Sequence, residues 1–338
     1  MKKIKIVLVG YGNMGRDWGK ILKKQGNIDL IGVIDLLKKN RAEAQKDLFL
    51  KDSQVSDKLE EFLDHNPDAI VDSSSPLAHF KNTRMALNNS VHVLGEKPMS
   101  LSLKQAEELI SLSRLKKKIY MVNQNYRRNP VLEIVKKELN KLGKINFVNI
   151  DYYQNLEFKD TFRYSIEHPL LLDMSIHHFD LVRHLLNKNA DSVYAIEYNP
   201  AGSKFKNGAG VFANFRIKDI AFNYRGSWKT SGANTSFNGL WRIEAKHGVI
   251  NWDGYLKVLL ERRLNQDIVV KKILIPSKFR FSPYELFLYE LEESFKIFLN
   301  SISSGTEPDS SCRDNINSLK MVLAAIESSR NDQVVKIR

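Results

Sequence analysis

The sequence predicts an α/β domain with a doubly wound parallel sheet over residues 1–124, followed by an α+β domain with a large, mostly antiparallel open sheet over 125–338. Three observations carry that reading. Short β-branched runs alternate with amphipathic segments through the first third, the rhythm of strands joined by crossover helices. Beyond about Asn125 several runs alternate apolar and polar residues, as a sheet with one covered face requires. A chain of 338 residues, 43% of them hydrophobic, also has material for two cores.

KIKIVLVG, Lys3 to Gly10, reads as the first strand, and Met14 to Lys24 as the helix after it. The pattern repeats: IDLIGVID before a helix over Lys38 to Leu48, DAIVDSSS before Leu77 to Leu87, VHVLGEKP before Leu103 to Leu115, and KIYMVNQ as a last strand. In the second domain one helix is expected around Pro130 to Leu142 and another over Leu170 to Leu186. The strand-like runs there are INFVNIDYYQ, SVYAIEYNP, GVFANFRI, IAFNYRGSW, LWRIEAKHG and YLKVLLERR. Pro283 suits the first turn of a helix ending near Gly305, and DSS, Asp309 to Ser311, precedes a final helix through SLKMVLAAIESS.

Composition narrows the function classes. Cys312 is the only cysteine, so no internal disulfide is expected, which fits a reducing, cytoplasmic location. Lys5 and the glycines after it break the first apolar run before it reaches the roughly 7–15 residues of a signal-peptide core. No apolar segment approaches the roughly 20 residues of a membrane span, so a soluble protein with no membrane partner is expected. The formal charge of +13 raises nucleic acid or a phosphorylated ligand as a partner. The lysines are scattered, however, and the densest cluster, RLKKKIY at Arg114 to Tyr120, falls where a helix ends, so no nucleic-acid partner is expected.

The chemistry begins at Gly10, Gly12 and Gly15, spaced G-x-G-x-x-G between a strand and a helix. Glycines so placed permit a tight turn and close approach of a pyrophosphate to the helix N-terminus, whose N–H groups attract anions. Asp35 ends the second strand, about 20 positions after the last glycine. A carboxylate there accepts hydrogen bonds from ribose hydroxyls and repels a 2′-phosphate, so NAD is expected in preference to NADP. Lys38, Lys39 and Arg41 lie just beyond and read as exposed charges opening the next helix. Glu96, Lys97 and Pro98 stand directly after the fifth strand run, where ligands of such sheets bind. Finally, LLLDMSIHHFDLVRHLL, Leu170 to Leu186, sets Asp173, His177 and His178 in an apolar helix. Asp173 and His177, four apart, should share a face, and the stretch admits three readings: packing, an acid/base pair, or a metal site. Adjacent histidines diverge by about 100° on a helix and no second ligand cluster is evident, so no metal is expected.

GYGNMG, SSPLAH, HVLGEKPMS, DMSIHHFD and the ending GTEPDSSCRDNINSLKMVLAAIESS resemble, in order, the corresponding motifs of the glucose-fructose oxidoreductase / inositol dehydrogenase (Gfo/Idh/MocA) family. The resemblance implies an N-terminal Rossmann domain, a C-terminal open sheet that often mediates homo-oligomers (here a homodimer or homotetramer), and NAD(P)-linked oxidation or reduction of a sugar or polyol. It puts Lys97, Asp173 and His177 at the catalytic positions; from the residues themselves, His178 is expected in packing before a substrate hydroxyl contact, and Asp180, Arg183 and His184 in helix-surface pairs. Cofactor contacts are then expected from Gly10, Gly12, Asn13, Met14, Gly15, Asp35, Ser74, His79, Glu96 and Lys97. Substrate contacts are expected from Lys97, Tyr126, Arg127, Asp173 and His177, and a cis peptide from Lys97 to Pro98. Many members have a glycine-rich run before the catalytic aspartate and a glycine within the motif, whereas this chain has EHPLLLDMS, with Pro169, Leu170 and Ser175. Two further readings compete with the dehydrogenase: an NAD-dependent glycosidase on the same scaffold, and a non-catalytic nucleotide-binding sensor.

Overall fold

The computed structural model describes residues 3–158 and 162–338, and the chain divides into two compact units, Met1–Arg128 with Pro283–Ile316 and Asn129–Ser282 with Asn317–Arg338. In the first unit six parallel strands, β1 (Ile4–Val9), β2 (Ile28–Ile34), β3 (Val55–Ser56), β4 (Ala69–Asp72), β5 (His92–Gly95) and β6 (Tyr120–Val122), lie in the order β3-β2-β1-β4-β5-β6. This is the doubly wound order, with its reversal between β1 and β4. Five helices connect them: α1 (Asn13–Lys23), α2 (Lys38–Leu48), α3 (Glu60–Leu63), α4 (Pro76–Asn88) and α5 (Leu103–Lys116). Covered on both faces, the central strands need no alternation, which is why Ile6, Val7 and Leu8 are all buried.

The long helix Pro283–Ser304, which the sequence reading put with the second domain, belongs to the first unit. Leu291, Phe295, Phe298 and Leu299 fall at i, i+4, i+7 and i+8, a single stripe, and join the core of Trp18, Ile21 and Leu22 from α1. Phe295 meets the edge of Trp18 with ring centroids 6.4 Å apart. Hydrophobic periodicity marks that stripe but not which of two cores receives it.

The second unit contains α6 (Pro130–Leu139), the short α7 (Phe162–Ser165), one π turn (Leu171–Ser175) and α8 (Ile176–Leu186). Its sheet is built from β7 (Ile145–Tyr153), β8 (Ser192–Tyr198), β9 (Gly210–Ile217), β10 (Ile220–Ser227), β11 (Leu240–Ala245), β12 (Gly248–Trp252), β13 (Val258–Leu264), β14 (Asp267–Ile273) and β15 (Val335–Lys336). The order is β14-β13-β12-β11-β7-β10-β9-β8-β15, and only the β7–β10 pair is parallel. The Pro283–Ser304 helix is α9, and α10 (Cys312–Asn331) carries the chain from the first unit into the second.

One sheet face is covered, as the alternating burial of β9 records. Phe179 of α8 seats that helix on the covered face, with ring centroids 4.7 Å from Phe215 and 5.2 Å from Tyr224. The expectation of surface pairs on α8 is corrected: Asp180 and Arg183 are 1% and 5% exposed. Ser318 of α10 donates to Asp180 Oδ1 at 2.7 Å and accepts from Arg183 Nη1 at 2.8 Å, so the charged pair is buried and hydrogen-bonded between two helices. His184 is half-buried, its Nε2 3.4 Å from Lys136 Nζ. Among the described residues no helix is long and apolar enough to cross a membrane.

Candidate active site

In the first unit the glycine turn is built for a bulky anion. Gly10 has φ +87°, a conformation that favours glycine, and its N–H donates to Ile34 O. Gly15 packs so tightly that a Cβ would stand 2.0 Å from Gly10 O. Gly12 has nothing within 4 Å of where its Cβ would be, so open space lies over the start of α1. No side chain caps that helix and no acid occupies its first turn, which begins at Asn13 and Met14. Helix N–H groups and the dipole there suit a pyrophosphate.

Asp35 is pinned beside this turn. Its Oδ2 accepts from Tyr11 N at 2.7 Å and Asn40 Nδ2 at 3.1 Å, and its Oδ1 accepts from Leu37 N at 2.8 Å. Arg41 does not point its charge outward as its position suggested: Nη1 donates to Asp35 O at 2.7 Å and Leu36 O at 3.1 Å, bracing the loop that carries the acid. Lys38 and Lys39 are exposed.

The remaining cofactor candidates form a connected scaffold after β4 and β5. Ser74 donates through N and Oγ to Asp72 Oδ1, and accepts from Asn82 Nδ2. His79 is buried, its ring nitrogens 2.8 Å from Pro98 O and 3.0 Å from Ser74 O, so it ties the two loops together. Glu96 is buried and accepts from Trp18 Nε1 at 2.9 Å and Asn123 Nδ2 at 2.8 Å. These contacts fix the turn from which Lys97, half-buried, emerges. The Lys97–Pro98 peptide is cis, as the resemblance implied.

Tyr126 and Arg127 follow β6, Tyr126 half-buried and Arg127 buried. The Arg127 guanidinium donates to Asp309 O and to Asp314 Oδ2, both at 2.6 Å, bracing the segment that enters α10. Those partners lie more than 180 residues away, so sequence offered no sign of them.

In the second unit Asp173 lies within the π turn, and His177, 5% exposed, in the first turn of α8. Such π turns occur often at functional sites. Arg163 of α7 donates Nε to Asp173 Oδ2 at 2.7 Å while its guanidinium sits 4.8 Å from the Phe158 ring centroid. Sequence reasoning missed this arginine, because ten residues and a turn separate it from its partner.

His178 is fully buried, with Nδ1 3.2 Å from Tyr224 Oη, Nε2 2.9 Å from Phe237 O and the Tyr152 ring 4.9 Å away. Ser175 Oγ donates to the same Tyr224 oxygen at 3.1 Å, so the serine at the family's glycine position enters a hydrogen-bond chain. In that chain Tyr224 donates to Nδ1 and Nε2 donates to the carbonyl, which is the neutral imidazole. Burial pushes the His178 pKa down to about 4. An unfolded histidine takes up its proton near 6.5, so folding stability present above that pH should fall by about 3 kcal/mol as pH drops to 4. His178→Gln should flatten that slope in denaturation midpoints measured across pH 4–7; an unchanged slope contradicts the neutral, buried assignment. Among the described residues no group of three or more His, Cys, Asp or Glu side chains is placed to hold a metal ion.

Comparison with known proteins follows the same lines. The model of the oxidoreductase family with an NAD-binding Rossmann fold, GFO_IDH_MocA, matches residues 4–124. An uncharacterized protein, y4oX, from Sinorhizobium fredii is 24% identical over 99% of this chain and 96% of its own length. Myo-inositol 2-dehydrogenase from Thermotoga maritima is 24% identical over 66% of this chain and 71% of its own length. An oxidoreductase from Agrobacterium radiobacter, solved in complex with NAD+, L-tartaric acid and magnesium, shares the fold with a TM-score of 0.88 at 17% identity, over 99% of each chain. Residues 4–124, with their bare glycine cradle, thus match the NAD-binding Rossmann domain of the Gfo/Idh/MocA oxidoreductase family.

Proposed function

We propose that the protein is an NAD-dependent dehydrogenase that transfers hydride between a hydroxyl-bearing carbon of a sugar or polyol and the nicotinamide ring, and that it works as a homodimer or homotetramer. The observation that carries the reading is the anchored Glu96-Lys97-Pro98 turn at the carboxyl end of β5, in a sheet whose glycine cradle fits a dinucleotide. The inositol-oxidising relative supports the substrate class. When bound, NAD supplies the carbon that takes up hydride.

Removal of hydride becomes easier as the hydroxyl proton leaves. The imidazole of His177 takes that proton, and the Lys97 ammonium stabilises the developing alkoxide. Asp173, paired with Arg163, acts as a fixed acceptor for a neighbouring substrate hydroxyl. Tyr126 and Arg127 contribute substrate contacts, and Ser74, His79 and Glu96 cofactor contacts, from loops that their own hydrogen bonds hold in place.

NADH formation across a panel of sugars, inositols, sugar acids and sugar phosphates tests the proposal. Net NADH from a free polyol supports it; hydrolysis of glycosides without net NADH, or no turnover of any of them, overturns it. NAD should also bind more tightly than NADP, because Asp35 stands where a 2′-phosphate would go and Arg41 is held by backbone carbonyls. Titration of both cofactors checks this, and a preference for NADP rejects it.

A further inference from the structure

β14 is the last strand of the nine-stranded sheet, and among the described residues no strand pairs with its outer edge. Ile268, Val269 and Val270 are 59%, 47% and 55% exposed, and the flanking Asp267, Lys271 and Lys272 are exposed as well. Successive side chains of a strand point to opposite faces, so this edge shows apolar groups on both. An open edge of that composition is a ready template for another strand, and no proline interrupts it.

Its sequence says which strand. In an antiparallel pair related by a two-fold axis, one residue faces its own copy and its neighbours pair in mirrored order. With Val269 at the centre, Ile268 faces Val270 on one surface of the sheet, while Asp267 faces Lys271 on the other, beside the Val269 pair. Each contact occurs twice. Moving the centre to Val270 sets Ile268 against Lys272 and Val269 against Lys271; moving it to Ile268 sets Asp267 against Val269 and Gln266 against Val270. Only the first register matches apolar with apolar and acid with base.

We propose that β14 pairs antiparallel with β14 of a second copy of this chain, centred on Val269, joining two nine-stranded sheets edge to edge. The inference rests on the homo-oligomer in the functional reading above. A short strand pair buries little area, so the association is concentration-dependent.

Sedimentation velocity of the full chain over a concentration series tests it, with far-UV circular dichroism to confirm folding. Wild type should shift toward dimer as concentration rises. Asp267→Lys sets two ammonium groups opposite each other and Lys271→Asp sets two carboxylates, and each should weaken dimerisation by about tenfold or more. An equimolar mixture of the two single variants should restore association, because each supplies the charge the other lacks, and so should the double swap. Without any variant, hydrogen exchange should show amides of Asp267–Ile273 gaining protection with concentration. A chain that stays monomeric at every concentration overturns both this pairing and the oligomer reading. An oligomer untouched by the single variants, or a mixture that fails to associate, overturns the edge pairing alone.

Discussion

His177→Ala should lower kcat by about 10²–10⁴-fold, the usual loss when a general acid/base is removed, while leaving NAD affinity nearly unchanged. The measurement needs a substrate identified by NADH formation and variants shown to fold and bind NAD normally. His178→Ala provides the contrast, since its imidazole is fully buried, neutral and engaged by Tyr224 and Phe237. Its loss should appear in stability and in KM, with kcat close to normal, because it removes packing and not an interaction made in the transition state. Arg163→Ala separates a third effect: releasing Asp173 from its cation should raise KM more than it lowers kcat if that carboxylate positions substrate. Near-normal turnover in His177→Ala, or a larger kcat loss in His178→Ala, would give the proton to the wrong histidine and revive the sensor reading.

The same helix shows how far the sequence could be read. Its apolar spacing announced α8, and burial of one face followed from that alone, but α8 is covered nearly all round by β9, β10 and α10. Asp180 and Arg183 looked like surface residues because charge is normally outside; the Ser318 that reconciles them with burial is 138 and 135 residues away. The first unit was more legible because strand, turn and crossover helix are local patterns, and the glycine spacing is a direct imprint of backbone geometry. The exception there was α9, whose stripe is plain but whose destination depends on long-range packing with Trp18 and its neighbours. β14 escaped notice for the opposite reason: with almost every side chain exposed, its sequence holds no two-residue alternation to detect.

Gly15→Ala and Gly12→Ala should fail in different ways, and the difference tests whether the turn is a cofactor cradle or merely a tight bend. At Gly15 the added methyl would lie 2.0 Å from Gly10 O and 2.8 Å from Gly10 C, both backbone atoms that no rotamer change can move aside. The strand-to-helix turn must open, costing about 3 kcal/mol or more in the first unit, with NAD binding lost alongside. At Gly12 the methyl meets nothing, and the backbone there, φ −75° and ψ −158°, is extended with negative φ. Thermal stability should therefore stay within a few tenths of a kcal/mol, since only a helix-cap preference changes. Yet the same methyl fills the space through which a pyrophosphate must approach the α1 N–H groups, so NAD affinity should fall by about 10–100-fold, equivalent to about 1.4–2.8 kcal/mol. Paired melting curves and NAD titrations decide it. If Gly12→Ala keeps full NAD affinity, the open space over α1 is not the pyrophosphate site, and the dinucleotide contacts assigned to Asn13 and Met14 go with it.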